Sequence, residues 1–526
     1  MKLVTAQHMR VVEQAAVQRG VSLDRLMENA GLAVARVVLE RLAGVQRPQV
    51  LVLVGPGNNG SDGLVAARHL QARGASVTAY LCAARPGEDP KLASAVAQGI
   101  TVVDSASDSG LAALEQALGQ SSMVIDAILG IGRSRPITGQ LASMLRHVAS
   151  ARRRNSRLTV LALDIPTGLD ADTGEVDPVC APADLTVTLG LPKAGLFKFP
   201  GADYAGQLRV VDIGVPPEAA EGVDAPELVS ADWVRSVLPT RHRDSHKGTF
   251  GRVLVVAGSQ SYLGAAYLAC MGAARIGAGY VTLAAPFRIQ AIIAAKLTEA
   301  TYLTLPERVP GSLSPESARV LRQAVSDYDV LLIGPGLGQH PATAAVVRNT
   351  LLGDPTMTTP VVVDADALNI LAQTPDWWKG FKAPAVLTPH PGEMARLLGR
   401  PIVDVQQDRW ALAKESAESW GVNVVLKGAF TVVASPRGRL RVSPFANPAL
   451  ASAGTGDVLA GVIAGLQAQG VPPSDAATAG VYLHGVAGEL MRREFGDAGG
   501  IASDLLPLLP KALRGIREGS WADGWS

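Results

Sequence analysis

Two carboxylates in the first half of the chain directly follow short apolar segments. Asp126 comes after the apolar residues 123–125, and Asp164 comes after residues 160–163. Because parallel α/β sheets bind ligands at the carboxyl ends of their strands, both side chains are candidates for moving a proton at a binding site. Each could instead only cap a turn. A third polar strand end, at residues 55–63, favours a functional site.

Residues 55–63 read Gly-Pro-Gly-Asn-Asn-Gly-Ser-Asp-Gly. The first, third and sixth of them have the G-x-G-x-x-G spacing of a dinucleotide-binding turn. The next strand should then end in an acid that holds the ribose hydroxyls. It ends without one, and Arg85 follows, which leaves an NADP-binding turn open. Backbone amides at a helix start bind anions, and the side-chain amide oxygens of Asn58 and Asn59 suit a hard cation. The loop therefore indicates an anion or cation site.

In the second half, a run of small residues leads into an apolar helix near Asp457. Unpaired amides of Gly454, Thr455 and Gly456 are expected to point at one spot, strengthened by the helix dipole. Negative charge develops at such a spot in phosphoryl transfer, and Asp457 could take the proton of an attacking hydroxyl. A plain helix cap is the alternative, and the run of small residues argues against it.

Alternating strands and helices must position these residues. Short apolar runs separated by helical patterns predict an α/β fold whose parallel sheets are covered on both faces. Two helices separated by Gly20 are predicted within residues 8–42. Residues 263–286 form the most apolar long stretch; Arg275 interrupts it, so it predicts a helix and a strand, not a membrane span. The predicted strands are 50–54, 76–81, 123–127, 158–163, 184–190, 251–257, 330–333, 361–363, 385–387 and 423–426.

The length and composition limit the class of protein. A chain of 526 residues is too long for one hydrophobic core. Residues 216–230 lack a clear period and are rich in Pro, Glu and Ala, so we place a linker there and predict domains at 1–222 and 223–526. The net charge of +1, without a basic block, argues against a nucleic-acid partner. The chain starts without a secretory signal, and we expect a cytoplasmic homo-oligomer without a membrane partner. The three cysteines are expected to be core residues; they are Cys82, Cys180 and Cys270.

Several ordered motifs give the first half a specific resemblance. Residues 26–31, 55–63, 126–132 and 164–168 are similar to those of the NAD(P)HX epimerase family, the YjeF N-terminal domain. The resemblance covers about residues 1–220. It implies a Rossmann-like three-layer αβα fold. It also implies interconversion of the R and S forms of NADH and NADPH that carry a hydroxyl at C6 of the nicotinamide ring.

The same resemblance implies roles for individual residues. Asp164 would be the acid-base residue at the hydrated ring, and Asn58, Asp126 and Thr167 would bind a potassium ion. Ser61 departs from the family pattern, which usually has glycine there, and this bears on the contact of the loop with phosphate. The residues implied in dinucleotide binding are Asn58, Asn59, Gly60, Ser61, Asp62, Gly130, Ile131, Gly132, Arg133, Ser134, Arg135 and Pro136.

The second half, over about residues 230–515, resembles the ribokinase-like superfamily. Within it, the resemblance is closer to the ADP/ATP-dependent NAD(P)HX dehydratases, the YjeF C-terminal domain. That family phosphorylates the C6 hydroxyl of the S hydrate, using ADP in bacteria and archaea or ATP in eukaryotes. Phosphate is then lost and NAD(P)H is restored. The motifs in chain order are 247–251, 258–259, 264–265, 277–279, 334–338, 364–368, 388–393, 426–429 and 447–461.

This second resemblance implies ADP as phosphate donor, with Mg²⁺, and Asp457 as the base. Asp364 and Asp366 would support magnesium through water or cap the following helix. The two prolines around His390 favour a site residue over a structural histidine, whereas Lys427 could equally be a solvated lysine. Residues implied at the hydrated dinucleotide are Ala265, Gly338, His390 and Asp457, and those implied at the nucleotide are Lys427, Gly428, Ala429, Phe430, Thr431 and Gly456.

Three alternatives stay open from the residues. A nicotinamide dehydrogenase would need a ribose-binding acid and a catalytic His or Tyr–Lys arrangement, which the sequence lacks. A vitamin or sugar kinase would share the fold of the second half. A non-catalytic binding protein would not need Asp164 and Asp457. An epimerase that feeds an S-specific dehydratase explains why both halves share a chain. The predicted function is therefore the repair of hydrated NADH and NADPH.

Overall fold

The chain forms two compact units, Met1–Ala225 and Pro226–Ala522. Each is an α/β unit with one large sheet, which confirms the predicted fold class. No described helix is long and apolar enough to cross a lipid bilayer. The computed structural model describes residues 1–85, 87–132, 136–310, 312–353 and 356–523.

The first unit is built on a parallel sheet. Its strands are β1 (Gln49–Val54), β2 (Ser76–Leu81), β3 (Thr101–Asp104), β4 (Met123–Ala127), β5 (Thr159–Leu163), β6 (Leu185–Leu189) and β7 (Gln207–Val211). In the described part of the chain these seven strands lie in the order β3-β2-β1-β4-β5-β6-β7, and all neighbours are parallel. The chain builds outward from β1 on one side and then returns to β4 on the other. The switch point, where such folds bind ligands, therefore lies between β1 and β4.

The first two helices of the first unit are delimited by a side-chain cap and by a glycine. The Thr5 hydroxyl accepts the amide of His8 at 3.1 Å, and Gly20, with φ 88°, separates the first two helices as predicted. Residues 50–54 of β1 are at most 1% exposed because helices cover both faces of the sheet. The helices are α1 (Ala6–Gln18), α2 (Leu23–Arg41), α3 (Asn58–Gln71), α4 (Pro90–Ala97), α5 (Ala112–Gln120), α6 (Gly139–Arg154) and α7 (Gly201–Ala205).

The second unit has a larger, mixed sheet. Its strands are β8 (Glu227–Leu228), β9 (Arg252–Val256), β10 (Tyr280–Pro286), β11 (Thr301–Leu305), β12 (Glu307–Val309), β13 (Ser312–Leu313), β14 (Val330–Ile333), β15 (Val361–Val363), β16 (Ala385–Leu387), β17 (Asn423–Leu426), β18 (Val432–Ala434) and β19 (Leu440–Val442). Ten of them, counted over the described residues, form one sheet in the order β11-β10-β9-β14-β15-β16-β17-β18-β19-β8. The run from β11 to β17 is parallel, and β18 is antiparallel to both of its neighbours. Its switch point lies between β9 and β14.

Close helix packing in the second unit fixes the start of the helix that carries Asp457. A Cβ at Gly461 would lie 2.1 Å from the carbonyl oxygen of Ala269, and one at Gly272 would lie 2.5 Å from that of Val458. Only glycine permits this approach of α17 to α9. The helices are α8 (Ala231–Val237), α9 (Leu263–Arg275), α10 (Phe287–Ile293), α11 (Ser317–Ala324), α12 (Pro341–Leu351), α13 (Asp366–Ala372), α14 (Pro391–Leu398), α15 (Ile402–Gln407), α16 (Arg409–Trp420), α17 (Thr455–Ala468), α18 (Pro473–Phe495) and α19 (Ala502–Glu518).

Candidate active sites

Predicted site residues of the first unit converge at the switch point between β1 and β4. They line a cavity of about 920 Å³, which we call the N-terminal cavity. Its size and its mixture of apolar walls and a few charged groups suit a small-molecule ligand. The predicted residues that line it are Asn58, Asn59, Asp62, Gly130, Ile131, Gly132, Pro136 and Asp164.

Some predicted residues of the first unit lie elsewhere. Gly60 and Ser61 are not among the residues that line the N-terminal cavity. A Cβ at Gly60 would lie 2.1 Å from the carbonyl oxygen of Gly55, so glycine is needed there for the loop to pack on itself. The predicted Arg133, Ser134 and Arg135 lie outside the described residues.

Arg85 holds the glycine loop from the side of β2. Its guanidinium donates to the Gly55 carbonyl and to the Ser61 hydroxyl, the latter at 2.8 Å, and it pairs with Asp89. With these three partners, Arg85 is not free to bind the 2′-phosphate of NADP in the manner of a dehydrogenase. The Ser61 hydroxyl is occupied by the same contact, which gives this unusual residue a structural role.

Asp164 and Lys193 form a buried ion pair in the N-terminal cavity. The Lys193 Nζ lies 2.5 Å from the Asp164 Oδ1, and the two residues are 1% and 6% exposed. The same oxygen accepts the amide of Leu189 at 3.1 Å and the hydroxyl of Thr188 at 3.3 Å. Asp164 adopts a left-handed φ of 70°, which Asp tolerates better than most residues. These contacts stabilise a carboxylate that faces the cavity.

Two further acids line the N-terminal cavity beside this pair. Burial, followed by the charge of Asp164, raises the pKa of Asp62 well above its usual range. Burial also raises the pKa of Glu13, and Lys193 opposes that shift. The cavity therefore combines the Asp164–Lys193 pair with two acids that hold their protons to higher pH, an arrangement suited to acid-base chemistry.

Asp126 and Thr167 lie in direct contact. The Thr167 hydroxyl donates to the Asp126 Oδ1 at 2.7 Å, and its amide donates to the Oδ2 at 2.8 Å. Burial raises the pKa of Asp126, and the hydrogen bonds from Thr167 oppose this. No Lys, Arg or His of the described chain pairs with Asp126, whose exposure is only 4%. An isolated buried carboxylate with a hydroxyl beside it fits a monovalent cation. Asn58 is exposed, and nothing in the structure places it in contact with these two.

The candidate site of the second unit is a charged cluster around Lys427. Its Nζ lies 2.8 Å from the Asp364 Oδ1 and 3.8 Å from the Glu393 Oε2. The Thr388 hydroxyl donates to the Asp364 Oδ1 at 2.7 Å. Burial lowers the pKa of Lys427, but the charges of Asp364 and Glu393 outweigh it, so the pKa is raised. Lys427 is thus a partly buried, paired cation and not a solvated lysine.

Asp457 lies in the first turn of α17, close to this cluster. Burial, then the charge of Asp364, raises the pKa of Asp457 to about 7, and Lys427 acts in the opposite direction. A carboxylate with a pKa near neutrality can take a proton and release it again at physiological pH. Lys427 also lies near the helix start, since a Cβ at Gly456 would be 3.4 Å from its Nζ.

The expected group of three unpaired amides is only partly present. The Thr455 amide turns back to the carbonyl of Ser452 at 3.4 Å, so the prediction was wrong for this residue. The amides of Gly454 and Gly456 have no acceptor among the described residues. The ring Nε2 of the buried His484 lies 3.0 Å from the Thr455 carbonyl, and burial lowers the pKa of His484 to about 4. The neutral ring can therefore donate to this carbonyl and hold the turn.

His390, which the sequence predicts to be a site residue, also has a structural role. Its Nδ1 accepts the amide of Gly392 at 3.0 Å and caps α14, while about half of its side chain stays exposed.

Asp366 accepts the amide of Gly338 at 2.8 Å and so connects the loop after β14 to α13. A Cβ at Gly336 would lie 2.8 Å from that of Ala265, so the predicted Ala265 and Gly338 belong to neighbouring segments.

No group of three or more His, Cys, Asp or Glu side chains could hold a metal ion within residues 1–85, 87–132, 136–310, 312–353 and 356–523. In the second unit, Asp364 is occupied by Lys427 and Thr388. Magnesium is commonly held by one or two carboxylates together with substrate phosphates and water. The donor set here fits that mode and not a cage built by the protein alone.

Both units thus belong to the class of α/β enzymes with charged groups at the carboxyl ends of parallel strands. Residues 23–195 match the family described as YjeF-related protein N-terminus, and residues 253–511 match the family described as NAD(P)H-hydrate dehydratase. A bifunctional NAD(P)H-hydrate repair enzyme of Moorella thermoacetica is 42% identical over 98% of each chain. One of Thermofilum pendens is 37% identical over 98% of this chain and 97% of its own. The chain belongs to the family of bifunctional NAD(P)H-hydrate repair enzymes.

Solved structures also match part of the chain. One of them is the ADP/ATP-dependent NAD(P)H-hydrate dehydratase of Bacillus subtilis, co-crystallised with ATP and Mg²⁺. It is 35% identical, covers 56% of this chain and 100% of its own, and gives a TM-score of 0.48.

Sequence reasoning missed several residues of both sites. Lys193 and Glu13 line the N-terminal cavity, and His484 supports the turn before α17. Lys193 follows an apolar strand and a glycine–leucine–proline turn, as the predicted Asp164 follows its own strand. This position after a parallel strand is the sequence signal that could have identified Lys193 as a site residue. Glu13 and His484 lie in ordinary helical patterns that carry no such signal.

Proposed function

We propose that each unit carries its own active site, with Asp164 as the acid-base residue of the first and Asp457 as the base of the second. One feature shared by both units carries the proposal: a lysine lies near each proposed acid-base carboxylate. Lys193 contacts Asp164 directly, and Lys427 is close enough to Asp457 for its charge to act on the pKa of that carboxyl. The substrates are the hydrated forms of NADH and NADPH. The expected cytoplasmic location and homo-oligomeric state stay predictions.

In the first unit, the reaction is inversion at C6 of the hydrated ring. A bond at C6 breaks and forms again on the opposite face of the ring. The enzyme gives one proton to the substrate in one of these steps and takes one back in the other, so the substrate gains and loses no atoms. Asp164 is suited to this because Lys193, Thr188 and the amide of Leu189 hold its side chain in place inside the cavity. Residues 58, 59, 62, 130–132 and 136 line the cavity, and we expect them to contact the dinucleotide.

Asp126 and Thr167, with Asn58 from the glycine loop, would hold the potassium ion. Such an ion would supply positive charge beside the dinucleotide. We expect that Asp126→Asn lowers the epimerisation rate by about tenfold or more and removes its dependence on potassium. The measurement compares epimerisation by the wild type and the variant in potassium and in N-methylglucamine buffers. Asp170→Asn, an exposed turn residue, is the matched control. Equal potassium dependence in Asp126→Asn and the wild type would remove Asp126 from the ion site.

In the second unit, the C6 hydroxyl of the S hydrate attacks the terminal phosphorus of the nucleotide. Asp457 takes the hydroxyl proton, and the bond to the leaving nucleotide breaks, so ADP yields AMP. The phosphate on C6 then leaves together with a proton from C5, which restores the double bond of NAD(P)H. The unpaired amides of Gly454 and Gly456 and the ammonium of Lys427 are placed to stabilise the charge of the transferred group.

The nucleotide is proposed to be ADP, bound by residues 427–431 and Gly456 together with Mg²⁺. We expect faster initial dehydration of the S hydrate with ADP than with ATP, measured by the absorbance of reduced nicotinamide. The ADP reaction contains hexokinase and glucose to remove ATP, and the ATP reaction contains a regenerating system to remove ADP. Faster turnover with ATP under these conditions would show that ATP is the donor.

A further inference from the structure

Arg409, the first residue of α16, contacts backbone carbonyls of the proposed nucleotide-binding segment 427–431. Its guanidinium donates to the backbone carbonyls of Ala429 at 2.7 Å, Leu426 at 3.0 Å and Lys427 at 3.1 Å. Because one side chain binds three backbone carbonyls, it restrains the turn between β17 and β18. Among the described residues Arg409 forms no ion pair, and its Nε is buried without an acceptor.

The path of the turn is adapted to this side chain. Gly428 has a φ of 141°, and a Cβ there would lie 2.8 Å from the Arg409 Nη2. Any other residue at this position would push the guanidinium away from the carbonyls. Burial lowers the pKa of Arg409 to about 10, so the side chain still carries its positive charge at neutral pH.

The direction of the carbonyls decides where the amides point. In a trans peptide, the carbonyl of one residue and the N–H of the next point in opposite directions. The Lys427 carbonyl faces Arg409, so the Gly428 N–H faces away from it. The Gly428 carbonyl accepts the Thr431 hydroxyl at 2.7 Å, which directs the Ala429 N–H away from that hydroxyl.

These two amides are available to a ligand. The N–H groups of Gly428 and Ala429 have no acceptor in the described part of the chain, and Gly428 is exposed. By contrast, the Phe430 amide donates to the Phe445 carbonyl at 2.8 Å, and the Lys427 amide donates to the Pro389 carbonyl at 2.9 Å. The turn therefore keeps its acceptors occupied and presents free donors, as an anion-binding turn does.

We infer that Arg409 is a positioning residue for the nucleotide: by bonding the Lys427 carbonyl it turns the amide of Gly428 toward the acceptor atoms of the nucleotide, next to the free amide of Ala429. This inference rests on the proposed function of the second unit. Arg409 itself need not touch the nucleotide.

The test uses Arg409→Lys and Arg409→Gln in the full-length protein. A lysine keeps the charge but cannot reach three carbonyls in a fixed plane. We expect the KM for ADP to rise by about ten- to a hundredfold in both variants. The KM for the S hydrate and the kcat at saturating ADP should stay within about threefold. Calorimetry with ADP alone should show the same loss of affinity.

Arg517→Lys is the matched control, because Arg517 also donates to a backbone carbonyl, that of Pro239 at 3.0 Å, in the same unit. It should leave both KM values unchanged. A variant of Arg409 with a normal KM and Kd for ADP overturns the inference, as does an equal rise in both KM values. If Arg409→Gln does not fold, Arg409→Lys alone decides between these outcomes. Failure of the wild type to dehydrate the S hydrate with any nucleotide overturns the proposed function, and this inference with it.

Discussion

Asp457→Ala is expected to lower the dehydration rate by about 10²–10⁴-fold and to leave epimerisation at the wild-type rate. The carboxylate is the group placed to take the proton of the attacking hydroxyl, and it lies beside the unpaired amides of Gly454 and Gly456. The measurement is nicotinamide recovery from the pure S hydrate. Epimerisation is followed separately, by the interconversion of the two hydrates without nucleotide.

The control variant distinguishes a role of Asp457 as catalytic base from a role as helix cap. Asp504 is a first-turn acid of α19, and its carboxylate accepts the amide of Ile501 at 2.9 Å. If Asp457 were only a cap, Asp457→Ala and Asp504→Ala would have the same small effect on dehydration. Near-normal dehydration by Asp457→Ala would exclude it as the base.

The wild-type enzyme should also show the titration of this base. Because the base must be deprotonated, kcat/KM for dehydration should rise with pH through about 7 and level off above it. Burial is the largest cause of this raised pKa, and the charges around Asp457 that modify it are those of Asp364, Lys427, Asp366 and Glu393. A kcat/KM profile that is flat from pH 5 to 9 would contradict this assignment of the base.

The sequence predicted the buried strands better than the exposed ones. Runs such as 330–333 and 361–363 are apolar throughout because helices cover both faces, and the strands lie at those residues. By contrast, β3 and β7 are partly exposed edge strands with mixed residues, so no apolar run marked them. The strands β18 and β19 were also missed.

Single site residues were predictable where they follow a strand, and their partners were not. Asp164 and Asp457 stand at positions that general rules single out, whereas Arg409 lies in a helix well before the turn that it holds. Lys193 meets Asp164 only because β6 lies beside β5 and the next segment returns to the cavity. Such pairs depend on the tertiary path of the chain, which local pattern does not contain.

Asp164 is expected to be as decisive for the first unit as Asp457 is for the second. Asp164→Ala should stop fast processing of the R hydrate while the S hydrate is repaired at the normal rate. The removal leaves Lys193 buried without its partner, which can destabilise a protein by about 3–5 kcal/mol. The double variant Asp164→Asn, Lys193→Met removes both charges and should restore the melting temperature without restoring epimerisation.

The informative quantity is the fraction of a mixed hydrate pool consumed in the fast phase with excess enzyme over short times. In the wild type the whole pool should disappear together, because epimerisation supplies the S form as fast as it is used. In Asp164→Ala only the S portion should go fast, and the R portion should follow at the slow spontaneous rate. Asp170→Asn, an exposed turn residue six positions further on, should behave as the wild type. If Asp164→Ala clears both portions alike, Asp164 only caps a turn, and Asp126 becomes the next candidate for the acid-base residue.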